Sequence, residues 1–186
     1  MTARISLTPP PTTFSRLATW YSRRRYGAAL DPGLAMSHHP RLLRSYVVWE
    51  TLIERWHVLP ARLKLLAVMA AAHRLNCSWC TDYGYWQAHG QGIDEPTLRD
   101  VPTWRDSTRF TPLERDVMAF AEGVSGESDD VDDELVARLR AELGEDGLVE
   151  LTMMVAVENQ RSRFNRALGL TSQGFADRCA VAGPRP

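Results

Sequence analysis

The sequence predicts an all-α protein, and three observations carry this prediction. Apolar side chains recur at spacings of three and four along most of the chain, as on one face of a helix. Proline and capping residues precede these segments, and glycines follow them. No stretch of useful length alternates apolar and polar residues, so no strand is predicted. With 186 residues, 44% of them hydrophobic, the chain has the length and composition of one globular domain.

The N-terminal part is predicted to form an arm, a helix and a connection. Residues 1–12 are polar and contain three consecutive prolines, which is typical of a flexible arm. A helix is predicted over 13–26, because Gly27 stops it and three apolar residues share one face: Phe14, Leu17 and Tyr21. The stretch 28–39 contains proline and glycine and is predicted to be a connection.

Two more helices are predicted before the first cysteine. Pro40 suits the first position of a helix, and the spacings after it define one apolar face: Leu42, Tyr46, Trp49, Ile53 and Trp56. Pro60 opens the next helix. Its residues 63–72 are apolar on almost every side, so this helix is expected to be buried on several sides.

The middle of the chain is predicted to form three helices with clear start signals. Asn76 offers a cap for a helix that starts with a CxxC motif and ends near His89. Asp94 starts a short helix after two glycines. The segment Thr111-Pro112-Leu113-Glu114 is a capping box with proline at the first helical position, so it starts a third helix.

The C-terminal part is predicted to contain the last helices and a tail. One helix carries a leucine face of Leu135, Leu139 and Leu143, after which Gly144 and Gly147 interrupt the pattern. A last long helix is predicted over 148–168. The expected organisation is therefore a single all-α domain of about seven helices over 13–170, followed by a small polar tail over 171–186.

The charge balance and the absence of targeting signals restrict the function classes. The 22 basic and 23 acidic side chains give a formal net charge of −1, which argues against a nucleic-acid-binding protein that relies on bulk positive charge. The basic run Arg23-Arg24-Arg25 is interpreted as the solvated last turn of a helix. No apolar run approaches the roughly 18 residues that span a bilayer, and no signal peptide is evident. No membrane partner is therefore predicted, and the expected compartment is the cytoplasm.

Two of the three cysteines form the motif Cys77-Ser78-Trp79-Cys80. At the start of a helix the two sulfurs lie within one turn and can form a disulfide. The unsatisfied amides and the positive end of the helix dipole favour the thiolate, which is the form that attacks peroxides and disulfides. One thiol would then attack the substrate, and the other would form a disulfide with it. The alternative is a pair of small buried apolar residues. Cys179 is predicted to take no part.

Zinc binding is the competing chemistry for this motif. His73, Cys77, Cys80 and His89 offer two thiolates and two imidazoles, and His73 and Cys77 have the spacing of two ligands on one helix. His89, however, lies at the opposite end of the predicted helix from Cys80, so the four side chains cannot converge on one ion. We therefore predict no metal and no other cofactor.

Three segments resemble the carboxymuconolactone decarboxylase and alkylhydroperoxidase D family: RLKLLAVMAAAHRLNCSWCTDYGYWQAHG, FTPLERDVMAFAEGV and ELTMMVAVENQRSRFNRALGLTSQGF. The likeness covers most of residues 13–175. It implies an all-α, alkylhydroperoxidase D-like helical bundle that assembles into trimers or hexamers. In the peroxidases of this family the second cysteine attacks a hydroperoxide and becomes a sulfenic acid. The first cysteine then closes the disulfide, and a thiol partner reduces it. The resemblance therefore implies that Cys80 is peroxidatic and Cys77 resolving.

The sequence departs from the pattern of these peroxidases at two positions. They carry a glutamate twelve residues before the first cysteine and a histidine four residues after the second, and both serve a proton relay. Leu65 and Gly84 occupy these positions here. Decarboxylase members lack the cysteine pair, so the CxxC motif argues against that activity.

Other polar residues could replace the missing relay. His73 precedes Cys77 by one turn, and Asp82 and Tyr83 follow Cys80 on the same predicted helix. Glu158 and Asn165 share one face of the last helix, with Ser162 between them. Each has a structural alternative: His73 as a hydrogen-bonded core histidine, Glu158 as a partner of Arg161 or Ser162, and Asn165 as a partner of buried amides.

Two functions remain open at this point. The first is a thiol-dependent peroxidase in which Cys80 attacks and Cys77 resolves, with His73, Asp82 or Glu158 assisting. Its partners would be a hydroperoxide or another small substrate, a dithiol reductant or thiol adaptor protein, and further copies of the chain. The second is an oligomer of the same family that is non-catalytic or has a different specificity, because it has lost the relay.

Overall fold

The computed structural model describes residues 3–126 and 131–177. Within these ranges every regular element is a helix, so the all-α prediction is confirmed. The α-helices are α1 (Thr13–Tyr26), α2 (Asp31–Met36), α3 (Pro40–Ile53), α4 (Ala61–Arg74), α5 (Ser78–Gly90), α6 (Glu95–Asp100), α7 (Pro112–Val124) and α8 (Asp133–Ala167). A short 3-10 helix, Val101–Thr103, follows α6. None of the helices in the described part is long and apolar enough to cross a membrane.

The chain divides into two compact units, each taken over its described residues. The N-terminal unit comprises Met1–Trp56 and Ala167–Thr171. The second, here called the CxxC unit, comprises His57–Arg166 and Ser172–Pro186. The CxxC unit contains both cysteines of the motif and the side chains of Ser162 and Asn165, which approach their sulfurs.

The N-terminal unit contains α1, α2 and α3, which pack against one another. Thr12 and Ser15 form a capping box at the start of α1, and Gly27 ends α1 in the left-handed conformation, with φ 74°. The predicted connection over 28–39 is wrong in part, because α2 lies inside it with Pro32 in its first turn. Proline fits there, since the first helical amides need no partner within the helix.

The apolar face predicted for α1 is largely exposed, whereas the face predicted for α3 is mostly half-buried or buried. In α1 only Ser15 is buried, whereas Leu17, Trp20 and Tyr21 are all more than half exposed. On the face predicted for α3 Leu42 is exposed and Ile53 is buried, and the other three residues are half-buried: Tyr46, Trp49 and Trp56. Periodicity therefore identified the inner face of α3, but on α1 it identified an apolar face that is exposed.

Helix α4 is the centre of the CxxC unit, as the all-round apolar pattern predicts. It packs against α5 and α7, and several of its residues have no exposed surface: Leu66, Ala67, Met69, Ala71 and Ala72. The capping box at the start of α7 is confirmed, because Thr111 Oγ1 accepts the Glu114 N–H and Glu114 Oε2 accepts the Thr111 N–H. Glu114 also binds Arg62 of α4, with 2.5 Å between Oε1 and Nε.

Helix α8 is interrupted about one third of the way along its length. Gly144 has φ 73° and ψ 174°, which interrupts the helix where the sequence predicted an interruption. Glycine adopts this positive φ without the steric cost that a Cβ would impose. Lys64, the lysine of α4, binds Glu150 of α8 with 2.5 Å between Nζ and Oε1, and Glu150 Oε2 accepts the Val58 N–H. These contacts hold the second part of α8 to the rest of the CxxC unit.

Candidate redox site

Cys77 and Cys80 form a disulfide at the N-terminus of α5, with 5.3 Å between their Cα atoms. Cys77 is itself the N-cap residue, and its Sγ accepts the Cys80 N–H at 3.2 Å. The prediction of Asn76 as the cap is therefore wrong. Asn76 instead has φ 52°, a left-handed conformation that asparagine tolerates better than most residues, and it turns the chain from α4 into α5. The pair thus lies where the free amides of a helix are concentrated.

The polar environment of the pair is concentrated on Cys80. Ser162 Oγ lies 3.4 Å from Cys80 Sγ, and Asn165 Nδ2 donates to the same sulfur at 3.4 Å. The distance from Asn165 Nδ2 to Cys77 Sγ is longer, 3.9 Å. Cys80, Ser162 and Asn165 are all buried, so these contacts are shielded from water. One amide donor and one hydroxyl of α8 therefore lie against the same sulfur of the pair.

Glu158 reaches the pair through Ser162. Ser162 Oγ donates to Glu158 Oε1 at 2.8 Å, and Glu158 is 2% exposed. Arg161 Nη1 lies 3.7 Å from the other carboxylate oxygen, Oε2. The positions 158, 162 and 165 share one helix face, as their spacing predicts, and this face is the one that meets the sulfurs.

The two positions that hold relay residues in the peroxidases are occupied by packing residues. Leu65 is buried in the apolar core of the CxxC unit. Gly84 is also buried, and a Cβ at this position would collide with Sδ of Met69 from α4. Glycine therefore allows α4 and α5 to approach each other at this point. Neither position therefore has a side chain that can accept or donate a proton.

His73 lies beside Cys77 in a small open pocket. The pocket has a volume of about 240 Å³ and is lined by His73, Asn76, Cys77, Ser78 and Thr81. Burial lowers the pKa of His73 below its ordinary value of 6.5, and the charge of Glu122 offsets part of this effect. His73 is therefore held in its neutral form at neutral pH, on the Cys77 side of the disulfide.

Asp82 binds the chain that follows α8. Its Oδ2 accepts the N–H groups of Gln173 and Phe175, at 2.8 and 3.1 Å, and its Oδ1 accepts the N–H of Ala176 at 2.8 Å. Trp79 Nε1 donates to Gln173 Oε1 at 2.8 Å. The buried carboxylate is thus surrounded by backbone amides, so the contacts of Asp82 are those of an anchor.

The same segment completes an aromatic cluster on α5. Phe175 has no exposed surface and contacts the rings of Trp79, Tyr83 and Trp86, with centroid distances of 5.7 to 6.4 Å. Sequence reasoning missed Gln173 and Phe175, because it assigned 171–186 to a tail. A buried aromatic residue within a polar stretch was the available signal. Cys179 lies outside the described residues.

The zinc alternative is not supported by the placement of its four residues. Cys80 and His89 lie nine residues apart on α5, which corresponds to about 13 Å along a helix. Over residues 3–126 and 131–177 no three or more histidine, cysteine, aspartate or glutamate side chains are grouped so that they could hold a metal ion.

Comparison with known proteins agrees with the fold and the motif. The model of the carboxymuconolactone decarboxylase family matches residues 43–123. The chain is also 30% identical over 163 residues to YnjA, an uncharacterised protein of Escherichia coli (strain K12), which covers 86% of this chain and 88% of YnjA. The chain belongs to the carboxymuconolactone decarboxylase family.

Two solved structures show the same alkylhydroperoxidase D-like fold. The debrominase Bmp8, solved as a cysteine-to-alanine variant with 2,3,4-tribromopyrrole, has a TM-score of 0.81 and 16% identity over 97% of this chain and 98% of that chain. The alkylhydroperoxidase AhpD core of a peroxidase-related protein from Ralstonia eutropha JMP134 has a TM-score of 0.74 and 16% identity over 94% of each chain. At these identities the likeness establishes the fold, and it includes proteins with different activities.

Proposed function

We propose that this protein is a thiol-dependent peroxidase that reduces hydroperoxides with the Cys77–Cys80 pair. The observation that carries the proposal is the disulfide at the start of α5, with Asn165 of α8 donating to Cys80 and the Ser162 hydroxyl 3.4 Å from the same sulfur. Donors at a sulfur stabilise its thiolate, as does the positive end of a helix dipole. Cys80 is therefore the attacking cysteine, in agreement with the role that the family resemblance implies.

The reaction uses two electrons from the reduced pair. Cys80 sulfur attacks the terminal oxygen of the hydroperoxide, an S–O bond forms, and the O–O bond breaks to release an alcohol. Cys77 then attacks the sulfenic sulfur of Cys80, the disulfide forms, and the hydroxyl leaves as water. The sum is one dithiol and one hydroperoxide giving one disulfide, one alcohol and one water.

A dithiol reductant returns the disulfide to its starting state. The open pocket beside Cys77 offers a route by which a thiol could reach the disulfide, with the neutral imidazole of His73 at its wall. A small dithiol or a thiol-bearing protein segment fits this role, because exchange needs an attacking thiolate that can reach one sulfur of the disulfide. A reducing cytoplasm would supply such partners.

A hydroperoxide consumption assay tests the proposal. The reduced wild type, Cys80→Ser and Cys77→Ser are compared with a dithiol in excess, and Cys179→Ser serves as the matched cysteine control. With the dithiol we expect consumption by the wild type and the control and its loss in Cys80→Ser, and after removal of the dithiol we expect a single turnover to sulfenic acid in reduced Cys77→Ser. A folded wild type whose rate equals the uncatalysed rate contradicts the proposal.

A second candidate function is a redox protein of this fold with a different substrate. Leu65 and Gly84 favour it, because the relay positions of the peroxidases are filled by packing residues. The debrominase Bmp8 also has this fold. This candidate predicts thiols that cycle with a dithiol while hydroperoxides are not consumed. Both thiols titrating near the ordinary cysteine pKa of about 8.5 would instead indicate a non-catalytic protein.

We also propose that the protein is a homo-oligomer, a trimer or a hexamer as the family resemblance implies. The apolar pattern of α4 does not require a partner copy, because α4 is buried within the chain. The exposed apolar residues of α1 give the independent support: Leu17, Trp20 and Tyr21. An exposed apolar patch of this kind is typical of a surface that another protein covers.

A further inference from the structure

We propose that Ser162 and Glu158 form a proton relay to Cys80 that replaces the missing relay of the peroxidases. The inference rests on the proposed peroxidase function and deepens it. It names the groups that take the proton of the thiol and deliver it to the leaving alkoxide, a task for which Leu65 and Gly84 have no suitable side chain.

The geometry is that of a proton carrier between an acid and a base. Ser162 Oγ lies 3.4 Å from Cys80 Sγ and 2.8 Å from Glu158 Oε1. A hydroxyl has one proton and two acceptor positions, so it can accept from a thiol while it donates to a carboxylate. All three residues are at least nine-tenths buried, which keeps bulk water from taking over the transfer.

Glu158 has an environment suited to holding and releasing a proton. Ser162 donates to its Oε1, and Arg161 lies near its Oε2. Both contacts favour the charged carboxylate, which is the form that can accept a proton, while burial favours the protonated form and so offsets them. Glu158 acts through Ser162, so it is the positioning residue of the relay.

The relay balances the proton of the first step. In the reduced protein the Cys80 thiol donates to Ser162 Oγ, and the Ser162 hydroxyl donates to Glu158. As the sulfur attacks the hydroperoxide, the thiol proton moves to Ser162 and the original Ser162 proton moves to Glu158. The same path returns one proton to the departing alkoxide, which leaves as an alcohol. Cys80 ends as a sulfenic acid, and Ser162 and Glu158 return to their starting forms.

The structural alternative is an ordinary hydrogen bond between residues four apart on one helix, with no part in the chemistry. The two interpretations differ in how they affect two reactions of the same thiol. Alkylation by iodoacetamide needs the thiol proton removed, but the iodide that leaves needs no proton. Reduction of tert-butyl hydroperoxide needs the thiol proton removed and also a proton delivered to the alkoxide. Loss of a relay should therefore slow the hydroperoxide reaction by a larger factor than alkylation, whereas a structural defect should change both by a similar factor.

The experiment measures both rates at pH 7 on the reduced wild type, Glu158→Gln and Ser162→Ala. Ser125→Ala is the matched control, because Ser125 is buried, accepts from Asn159 of α8 and has no contact with either sulfur. Circular dichroism verifies that each variant is folded. We expect Glu158→Gln to reduce the hydroperoxide rate by about 100-fold, the lower range for general acid–base catalysis, with a smaller effect on alkylation. Ser162→Ala should likewise slow the hydroperoxide reaction more than alkylation, and Ser125→Ala should change neither rate.

The other outcomes would overturn the relay, and they show whether the peroxidase function fails with it. Equal losses in both reactions, or no loss in either, would overturn the relay while leaving the peroxidase function standing. A wild type that does not reduce the hydroperoxide would overturn both proposals. If Ser162→Ala does not fold, the nearly isosteric Glu158→Gln decides the question.

Discussion

Gly84 of α5 packs directly against the sulfur of Met69 in α4, with no room for a Cβ between them. The histidine that the peroxidases carry at this position could not be accommodated without moving Met69, which is itself fully buried. The absence of the histidine is therefore built into the helix packing, and a single substitution should not restore it.

The first prediction concerns this close approach. Gly84→Ala should lower the free energy of unfolding by about 1–3 kcal/mol, because overpacking a buried contact displaces its neighbours. Gly84→His should cost more and should not raise the peroxidase rate. Urea unfolding measures both. Gly90→Ala is the control in the same helix, because a Cβ there meets nothing within 4 Å. Equal stability of the two alanine variants would contradict the packing argument.

The second prediction concerns the thiolate of Cys80. Asn165→Leu removes the donor to Cys80 Sγ, and hydrogen bonds to charged groups contribute about 1.5–3 kcal/mol. The pH midpoint of Cys80 alkylation should therefore rise by about one unit or more. The measurement uses Cys77→Ser as the background, and Asn159→Leu is the control on the same helix. An unchanged midpoint would show that Asn165 does not stabilise the thiolate.

A third prediction separates an anchoring role of Asp82 from a catalytic one. Asp82→Asn replaces one of the two oxygens that accept backbone amides of residues 173–176 by an amide donor. Amide hydrogen exchange at these residues should accelerate, and stability should fall by about 1–3 kcal/mol. The alkylation rate of Cys80 should not change. A large loss of thiol reactivity with normal exchange protection would instead favour catalysis by Asp82.

The fourth prediction is a pH dependence of stability that comes from His73. Because its pKa in the folded protein is below the ordinary 6.5, the unfolded chain takes up a proton first as the pH falls. The free energy of unfolding should therefore fall as the pH drops below about 6.5, until the folded pKa is reached. His73→Gln should show a smaller fall between pH 8 and 5 in urea titrations. An identical pH dependence in the variant would rule out this contribution.

The fifth prediction concerns the exposed apolar residues of α1. Light scattering at micromolar concentration should give the mass of a trimer or hexamer for the wild type. Trp20→Glu should shift this mass towards the monomer, because it places a charge in an apolar interface. Gln87→Glu, at an exposed position of α5, should leave the mass unchanged. A monomeric wild type would contradict the oligomer proposal.

Local signals in the sequence located most helix boundaries. The capping box at Thr111 and Glu114, the stop at Gly27 and the break at Gly144 were all predictable, because each depends on residues within one turn. Helix α2 was missed, since six residues with a proline and a glycine carry almost no periodic signal. The cap of α5 was assigned one residue too early, because asparagine is a common cap and also a common left-handed residue.

The site was predictable in part. The spacing of Glu158, Ser162 and Asn165 predicted a shared face, but only the packing of α8 shows that this face meets Cys80. The partners of Asp82 lie more than 90 positions away in sequence, so no local pattern could identify them. Similarly, periodicity defined the apolar face of α1 without indicating that this face is exposed.

The pairing of Lys64 with Glu150 has a practical consequence for labelling this protein. Lys64 is the only lysine in the sequence, and its ammonium group is held against a carboxylate with little exposed surface. Amine-reactive dyes, biotin esters and cross-linkers should therefore modify the side chain of Lys64 only slowly in the folded chain. The rate of this modification thus reports whether Lys64 and Glu150 remain paired.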